Sequence, residues 1–118
     1  MIFPRRGDVY LVTFDPARGH EITKTRPALV IQNDIGNRHS PVTIVAGIIS
    51  KLSPAPYPVD VAVAPTRASG LSVPSAIQLN QIHSVDQQRL VKRLGAVDAP
   101  TMRSVDEAIK ISLGLVSL

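Results

Sequence analysis

The chain has 118 residues, of which 44% are hydrophobic and 19% are charged; this composition predicts one globular domain over residues 1–118 and excludes a disordered chain. The formal net charge is +4, a mild basic excess that is compatible with a polyanionic partner such as a nucleic acid. The chain contains no cysteine, which excludes disulfides and thiolate metal sites, and its three histidines lack the spacing of metal ligands, so we expect neither a metal ion nor another cofactor.

The distribution of apolar residues also bears on the cellular compartment. No apolar run reaches the roughly 20 residues that a membrane-spanning helix needs. Residues 1–8 lack the basic-then-apolar order of a signal peptide. We therefore expect a cytoplasmic protein without membrane attachment.

Six segments of the chain have the composition of β-strands, being short, apolar and rich in β-branched residues. The predicted strands are Val9–Phe14, Ala28–Gln32, Val42–Ile49, Val59–Ala64, Ala76–Ile82 and Leu90–Leu94. In the fifth, alternation places residues 77, 79 and 81 on one face and residues 78, 80 and 82 on the other. Residues 33–37 are predicted to be a turn, and the three prolines of residues 53–58 predict an irregular loop.

The last part of the chain has the pattern of an amphipathic helix. Asp98 can cap it and Pro100 suits its first turn. An apolar stripe then recurs at steps of three and four residues, through Met102, Val105, Ile109, Leu113 and Val116. The Ser-x-x-Gln pattern of residues 84–87 predicts a separate short helical turn. Strands followed by a terminal helix predict a mainly β fold, a compact barrel with the helix packed against it, and disfavour a parallel sheet.

The loop between the first two predicted strands concentrates His20, Glu21, Thr25 and Arg26. Cleavage of RNA without a metal needs a base for the 2′-hydroxyl proton, a cation for the phosphorane and an acid for the leaving oxygen. A histidine can act as base or acid, a glutamate can act as base or orient the histidine, and an arginine can grip phosphate oxygens bidentately. The same residues are equally compatible with a solvated loop, so these residue types do not by themselves establish a reaction.

Several segments, in one order along nearly the whole chain, resemble the MazF/PemK toxin family. The first block contains residues 6–10 (RGDVY), 15–16 (DP), 19–21 (GHE) and 25–31 (TRPALVI). Residues 32–38 (QNDIGNR) continue it and are closest to MazF members of Gram-positive bacteria. Residues 81–90 and 105–115 are similar to the second block and the terminal helix of the family.

This resemblance implies an SH3-like antiparallel barrel of the CcdB–MazF type with a C-terminal helix, paired into a homodimer. It implies a sequence-specific, metal-independent endoribonuclease that cuts single-stranded RNA to 2′,3′-cyclic phosphate and 5′-hydroxyl ends and so inhibits growth. It also implies an acidic antitoxin, similar to MazE or PemI, whose disordered tail folds across the active groove.

The resemblance assigns roles to individual residues. Arg26 falls on the essential arginine of the family, and His20 and Glu21 fall on the Gly-His-Glu segment of Kid-like members, in which the histidine is implicated in catalysis. Ser50 is the fourth catalytic candidate. The predicted RNA-binding residues are Lys24, Thr25, Lys51, Gln78, Asn80 and Gln81.

Two parts of the chain depart from the family pattern. Ile49 stands where many MazF members carry a catalytic threonine, and Ser50 follows it. Because adjacent strand residues face opposite sides, Ser50 can replace that threonine only if the strand bends or the alignment shifts by one residue. Gln78 and Asn80 stand where Kid-like members use an arginine and an aspartate, which keeps hydrogen bonding but removes charge. These departures leave two alternatives open, a CcdB-like barrel that binds a protein target and a module that binds RNA without cutting it.

Overall fold

The computed structural model describes residues 3–14, 25–50 and 58–117. In chain order, its elements are β1 (Asp8–Thr13), β2 (Thr25–Val30), α1 (Asp34–His39), β3 (Val42–Ser50), β4 (Asp60–Val63), β5 (Ser75–Asp86), a 3₁₀ turn (Gln87–Arg89), β6 (Leu90–Ala96) and α2 (Ala99–Ser112). The predicted mainly β architecture with a C-terminal helix is confirmed.

The strands form one six-stranded antiparallel sheet in the order β4-β5-β3-β2-β1-β6. One face of β1, β2 and β3 packs with the far end of β5 around a small core of Val12, Ala28, Val30, Val45 and Val85. The other face packs with β4 and the near end of β5 against α2, in the larger core that contains Leu29, Ile48, Ile77, Leu79 and Val105. We call these the small core and the large core.

The sheet curls strongly around the small core. The rings of Phe14, which follows β1, and His83, on β5, have centroids 5.2 Å apart. In the sheet order β1 and β5 are separated by β2 and β3, so a flat sheet would hold these two rings far apart. This curl gives the sheet the barrel-like character that the strand pattern predicts.

The segment after β4 connects the two ends of the sheet. The amide of Ala96 in β6 donates to the carbonyl of Ala68 over 2.8 Å. Gly95 permits this approach, because a Cβ there would lie 2.2 Å from the Ala68 carbonyl oxygen. Gly70 has φ +73°, and a Cβ added to it would likewise clash with the backbone of Leu94.

Residues 33–37 are not the predicted turn, because α1 starts within them. The Asn33 side chain accepts from the amide of Gly36 and caps the helix, and Arg38 and His39 complete its last turn. The turn-forming residue types therefore act here as a helix cap and first turn. Asn33 has extended backbone angles, and the described residues other than glycine include none with positive φ.

β5 is longer and less regular than the predicted strand. It runs on to Asp86, so Ser84 lies inside the strand and Asp86, rather than Ser84, caps the 3₁₀ turn. Its pairing with β3 shifts between Gly47↔Gln78 and Ala46↔Ile82. Residues 79–81 form a bulge, and the predicted alternation of residues 77–82 is wrong across it.

α2 begins as predicted but ends early. The Asp98 side chain accepts from the amide of Thr101, and proline lies in the first turn. The helix ends at Ser112, and Gly114 has φ +76° just beyond it. The predicted stripe is therefore wrong at its end, because Leu113 and Val116 lie outside the helix and are exposed, whereas Val105 and Ala108 are the buried helix residues.

Candidate active site

Arg26 lies at the rim of the small core. It occupies the second position of β2 and its Cα partner on β1 is Val12. Side chains alternate along a strand, so Arg26 shares the face of Ala28 and Val30, both of which belong to the small core. Those two residues are buried and Arg26 is exposed. The arrangement presents a permanent positive charge at the edge of an apolar interior.

The strand β2 begins at Thr25 and contains Pro27, which has no amide hydrogen to donate to a neighbouring strand. The pairing of β2 with β3 covers only Ala28–Val30, so the proline lies outside that ladder. β2 is thus paired on the β1 side alone at Arg26 and Pro27. A proline beside the arginine fixes the backbone there without a lost ladder bond to β3.

Ile49 is the β3 residue on the face of Arg26. The β2–β3 ladder ends at Ala28↔Gly47, and Ile49 lies two residues beyond it on β3. Gly47 and Ile49 alternate with Ile48, which packs in the large core on the other face. On the face of Arg26, the end of β3 therefore presents a half-buried apolar side chain without a hydroxyl.

Ser50 and Thr25 lie on the opposite face of the sheet from Arg26. Ser50 ends β3 opposite Ser75, and the pairing of Gly47–Ser50 with β5 has no shift that would turn its side chain over. Thr25 pairs with Thr13, and their hydroxyls share a hydrogen bond of 3.2 Å. Both Ser50 and Thr25 are exposed.

Three predicted RNA-binding residues lie in or beside the β5 bulge. Gln78 pairs with Gly47 and is half-buried on the face of Arg26. Asn80 and Gln81 are both exposed within the bulge. A Cβ added to Gly47 would lie 3.7 Å from the Gln81 Cβ, so the bulge folds close against this glycine. The structure therefore groups Arg26, Ile49 and Gln78 on one face and places Asn80 and Gln81 at its border.

The remaining predicted site residues, His20, Glu21, Lys24 and Lys51, lie outside the described residues. Their assignments stay predictions. Within the part of the chain that the structure describes, no group of three or more His, Cys, Asp or Glu side chains is placed to hold a metal ion.

The sequence interpretation missed one feature of this face, the contact between Phe14 and His83. The sequence predicts Phe14 only as the end of an apolar strand, and it gives no reason to single out His83. No local pattern joins two residues so far apart in the chain. The two residues come together only in the curled sheet, so their contact has no counterpart in the sequence pattern.

Tyr10 lies on the same face, towards the far end of β1. Burial raises the pKa of its hydroxyl, Asp8 raises it further by its negative charge, and Arg93 opposes the rise. Arg93 Nε lies 3.3 Å from Asp8 Oδ1. Tyr10 is therefore held neutral at physiological pH and packs against the small core.

A second charged region lies elsewhere, along α2. An open depression of about 560 Å³ is lined by Arg6, Arg103, Asp106, Glu107, Ile109 and Lys110. Arg6 Nη2 contacts Asp106 Oδ1 at 2.6 Å, and Lys110 Nζ contacts Glu107 Oε1 at 3.2 Å. Because carboxylates already pair with two of the three cations that line it, this depression is a weaker candidate for an anion than the rim at Arg26.

Comparison with known proteins decides the family. The family model of PemK-like, MazF-like toxins of type II toxin–antitoxin systems matches residues 5–113. The endoribonuclease EndoA of Bacillus subtilis (strain 168) is 45% identical over 112 residues, which are 95% of this chain and 96% of that protein. The chain belongs to the PemK-like, MazF-like toxin family.

Solved structures agree on the fold of this MazF-like chain. An endoribonuclease from a mycobacterial species superposes with a TM-score of 0.79 at 23% identity, covering 100% of this chain and 98% of the other. A mycobacterial endoribonuclease in complex with its cognate antitoxin gives a TM-score of 0.77 at 23% identity, covering 98% and 99%. In the described ranges of the MazF-like chain, no helix is both long and apolar enough to cross a membrane.

Proposed function

We propose that this MazF-like chain is a single toxin domain, over residues 1–118, that acts as a sequence-specific endoribonuclease on single-stranded RNA and thereby inhibits translation and growth. The observation that carries the proposal is the position of Arg26, exposed at the rim of the small core. The 45% identity to an endoribonuclease over nearly the full length of both chains supports it.

The reaction proceeds by attack of the 2′-hydroxyl oxygen on the adjacent phosphorus. A bond forms between O2′ and phosphorus, the bond between phosphorus and O5′ breaks, and the products are a 2′,3′-cyclic phosphate and a 5′-hydroxyl. The 2′-hydroxyl loses its proton to a base, and the leaving O5′ gains one from an acid. The Arg26 guanidinium grips the phosphate oxygens and stabilises the charge of the phosphorane without a metal ion.

Proton transfer is assigned to the first loop rather than to the end of β3. Ile49 has no proton to exchange, and the side chain of Ser50 projects from the face opposite Arg26. His20 and Glu21 carry the acid–base chemistry in this proposal, in an order that the reaction itself leaves open. Ser50 remains the alternative, to be tested by its own alanine variant.

The RNA strand is held around Arg26 by neutral and basic side chains. Gln78, Asn80 and Gln81 offer amide groups to bases and phosphates at the bulge. Lys24 and Lys51, which lie outside the described residues, remain predicted RNA-binding residues, whereas Thr25 projects from the face opposite Arg26 and would contact RNA only beyond this set.

The proposal includes two protein partners. A second copy forms a homodimer, supported by the exposed apolar residues Leu113, Leu115 and Val116 beyond α2. An acidic, MazE- or PemI-like antitoxin covers the cleavage groove, supported by the net charge of +4 and by membership of a toxin–antitoxin family. The complex is cytoplasmic, where its RNA substrate lies.

The test is cleavage of a long single-stranded RNA in the presence of EDTA by the full chain and by Arg26→Ala. We expect cuts at defined sequences with cyclic phosphate ends, and at least a roughly hundredfold loss of rate in Arg26→Ala. Arg38→Ala, at an exposed position of α1, is the matched control and should cut normally.

A second candidate function is RNA binding without cleavage, which the apolar Ile49 on the face of Arg26 favours. It predicts folded protein that retains RNA, with affinity falling as salt rises, and that yields no fragments. Intact RNA after long incubation with a folded wild-type dimer would select this function over the nuclease.

A further inference from the structure

Phe14 and His83 form a supported pair of rings on the face of Arg26. Their centroids are 5.2 Å apart and their planes are inclined by 60°. Phe14 is half-buried against the small core, whereas His83 is exposed. The core thus fixes the Phe14 ring, and the tilted contact with that ring supports the His83 ring, which is open to solvent.

The ring pair lies close to Arg26. Val12 is the direct Cα partner of Arg26, and Phe14, two residues further on, packs in the same core as Val12. Diagonal neighbours on one face of an antiparallel pair are about 7–8 Å apart, within reach of long and aromatic side chains. A strand gripped at Arg26 therefore passes beside the rings.

The backbone next to Phe14 is held by a side chain from the other end of the sheet. Arg89, in the 3₁₀ turn, donates from Nη1 to the carbonyl of Thr13 at 3.3 Å, immediately before Phe14. Exposed rings beside a cation such as Arg26 are the arrangement by which proteins hold single strands, with bases on the rings and phosphates on the cation.

We propose that the Phe14–His83 ring pair is a stacking platform for one nucleobase of the single-stranded RNA held at Arg26. This inference rests on the proposed function and adds an RNA-binding residue, His83, that no sequence pattern suggested. The platform holds a base by its flat face, so it contributes affinity and positions the strand without taking part in proton transfer.

The test measures binding of a fluorescein-labelled single-stranded oligonucleotide whose 2′-hydroxyls are all methylated, which prevents cleavage. The oligonucleotide spans a mapped cleavage position, or has a fixed mixed sequence if the wild type makes no cut. We expect His83→Ala to weaken binding about tenfold to a hundredfold, as loss of one stacked base does. His83→Phe keeps a ring and should restore most of the affinity.

His39→Ala is the matched control, because His39 is an exposed histidine on α1 and is not part of the ring pair. A set of oligonucleotides with one abasic nucleotide at successive positions then locates the base. At the stacked position, removal of the base should make wild type and His83→Ala bind equally, since both changes remove the same contact.

The outcomes separate the platform from the nuclease. Wild-type cleavage with unchanged affinity in His83→Ala, or failure of His83→Phe to restore binding, would overturn the platform and leave the nuclease standing. A folded wild-type protein that neither binds nor cuts RNA would overturn both.

Discussion

The buried Asn37 shows how one residue can organise three elements. It is 0% exposed, its Oδ1 accepts from Thr43 Oγ1 at 2.6 Å and from Gln32 Nε2 at 3.0 Å, and its Nδ2 donates to the Gln32 carbonyl at 3.0 Å. Gln87 Nε2 donates to its backbone carbonyl at 2.8 Å. The side chain thus ties α1 to β3 and to Gln32, and the backbone carbonyl of the same residue adds the turn after β5.

We expect Asn37→Ala to lower the free energy of unfolding by about 1–3 kcal/mol, because the buried Thr43 hydroxyl and the Gln32 side-chain amide lose the Asn37 oxygen to which they donate. Urea denaturation monitored by circular dichroism measures the change. Arg38→Ala, one residue away and exposed, should change stability by less than about 0.5 kcal/mol. Equal stability of Asn37→Ala and wild type would contradict the role assigned to the network.

Ile49 is the residue at which the cleavage site can be improved. A hydroxyl at this position would lie on the face of Arg26, where the wild-type side chain offers none. We expect Ile49→Thr to raise kcat/KM for RNA cleavage by about tenfold or more, since a positioned proton-transfer group contributes on that scale or above.

Ile49→Val is the control for Ile49→Thr, because it has nearly the same shape and lacks the hydroxyl. An equal effect of valine and threonine would assign the change to packing instead. Ser50→Ala should leave kcat/KM unchanged, and a large loss in that variant would return the proton-transfer role to Ser50.

At the scale of elements, the helix α2 depends on its cap. The Asp98 carboxylate accepts from the Thr101 hydroxyl at 2.6 Å and from the Thr101 amide at 2.9 Å, and these hydrogen bonds lower its pKa. A carboxylate with a lowered pKa in the folded state adds stability above its unfolded pKa. That stability is lost as the pH falls through the folded pKa.

We therefore expect Asp98→Ala to be less stable than wild type at neutral pH. The difference should shrink as the pH falls from about 4, the ordinary pKa of an unfolded aspartate, through the lower pKa of the folded carboxylate. Thermal unfolding at a series of pH values measures it. Ser104→Ala, at an exposed position of the same helix, should follow the wild-type curve. A difference that stays constant down to pH 2 would show that the carboxylate charge is not involved.

Local patterns predicted the elements whose signals are local. The strands near Val9–Phe14, Val42–Ile49 and Leu90–Leu94 and the start of α2 at its Asp98 cap all follow from apolar runs and a single capping residue. The turn predicted for residues 33–37 is wrong, because the residue types of a tight turn are also those of a helix cap.

The irregular part of β5 was not predictable in this way. A bulge is fixed by pairing with the partner strand, here by the shift between Gly47↔Gln78 and Ala46↔Ile82, and β5 alone contains no sign of it. For the site, the resemblance singled out Arg26 and the apolar residue at 49. Which residues share a face, and the contact between Phe14 and His83, depend on pairing between distant parts of the chain.

At the scale of the whole molecule, the contact between Ala68 and Ala96 holds the two ends of the sheet together. We expect Gly95→Ala to destabilise the protein by about 1–3 kcal/mol, because its new Cβ would lie 2.2 Å from a backbone oxygen that has little freedom to move. Urea denaturation measures this loss.

Gly47→Ala is the matched control for Gly95→Ala, since the nearest atom to its added Cβ is at 3.7 Å, an ordinary van der Waals distance. It should be much less destabilising than Gly95→Ala. If the two variants proved equally stable, the docking of the segment after β4 on β6 would contribute little to the fold.

The pairing of β1 with β6 joins residues 8–13 to residues 90–96. A nascent chain leaves the ribosome from its N-terminus, so β1 and β2 emerge long before the strand that completes the sheet on the other side of β1. Until residues 90–96 have emerged, β1 lacks one of its two neighbours and the small core stays open. The nascent toxin therefore cannot complete its fold and become active until its synthesis is almost finished.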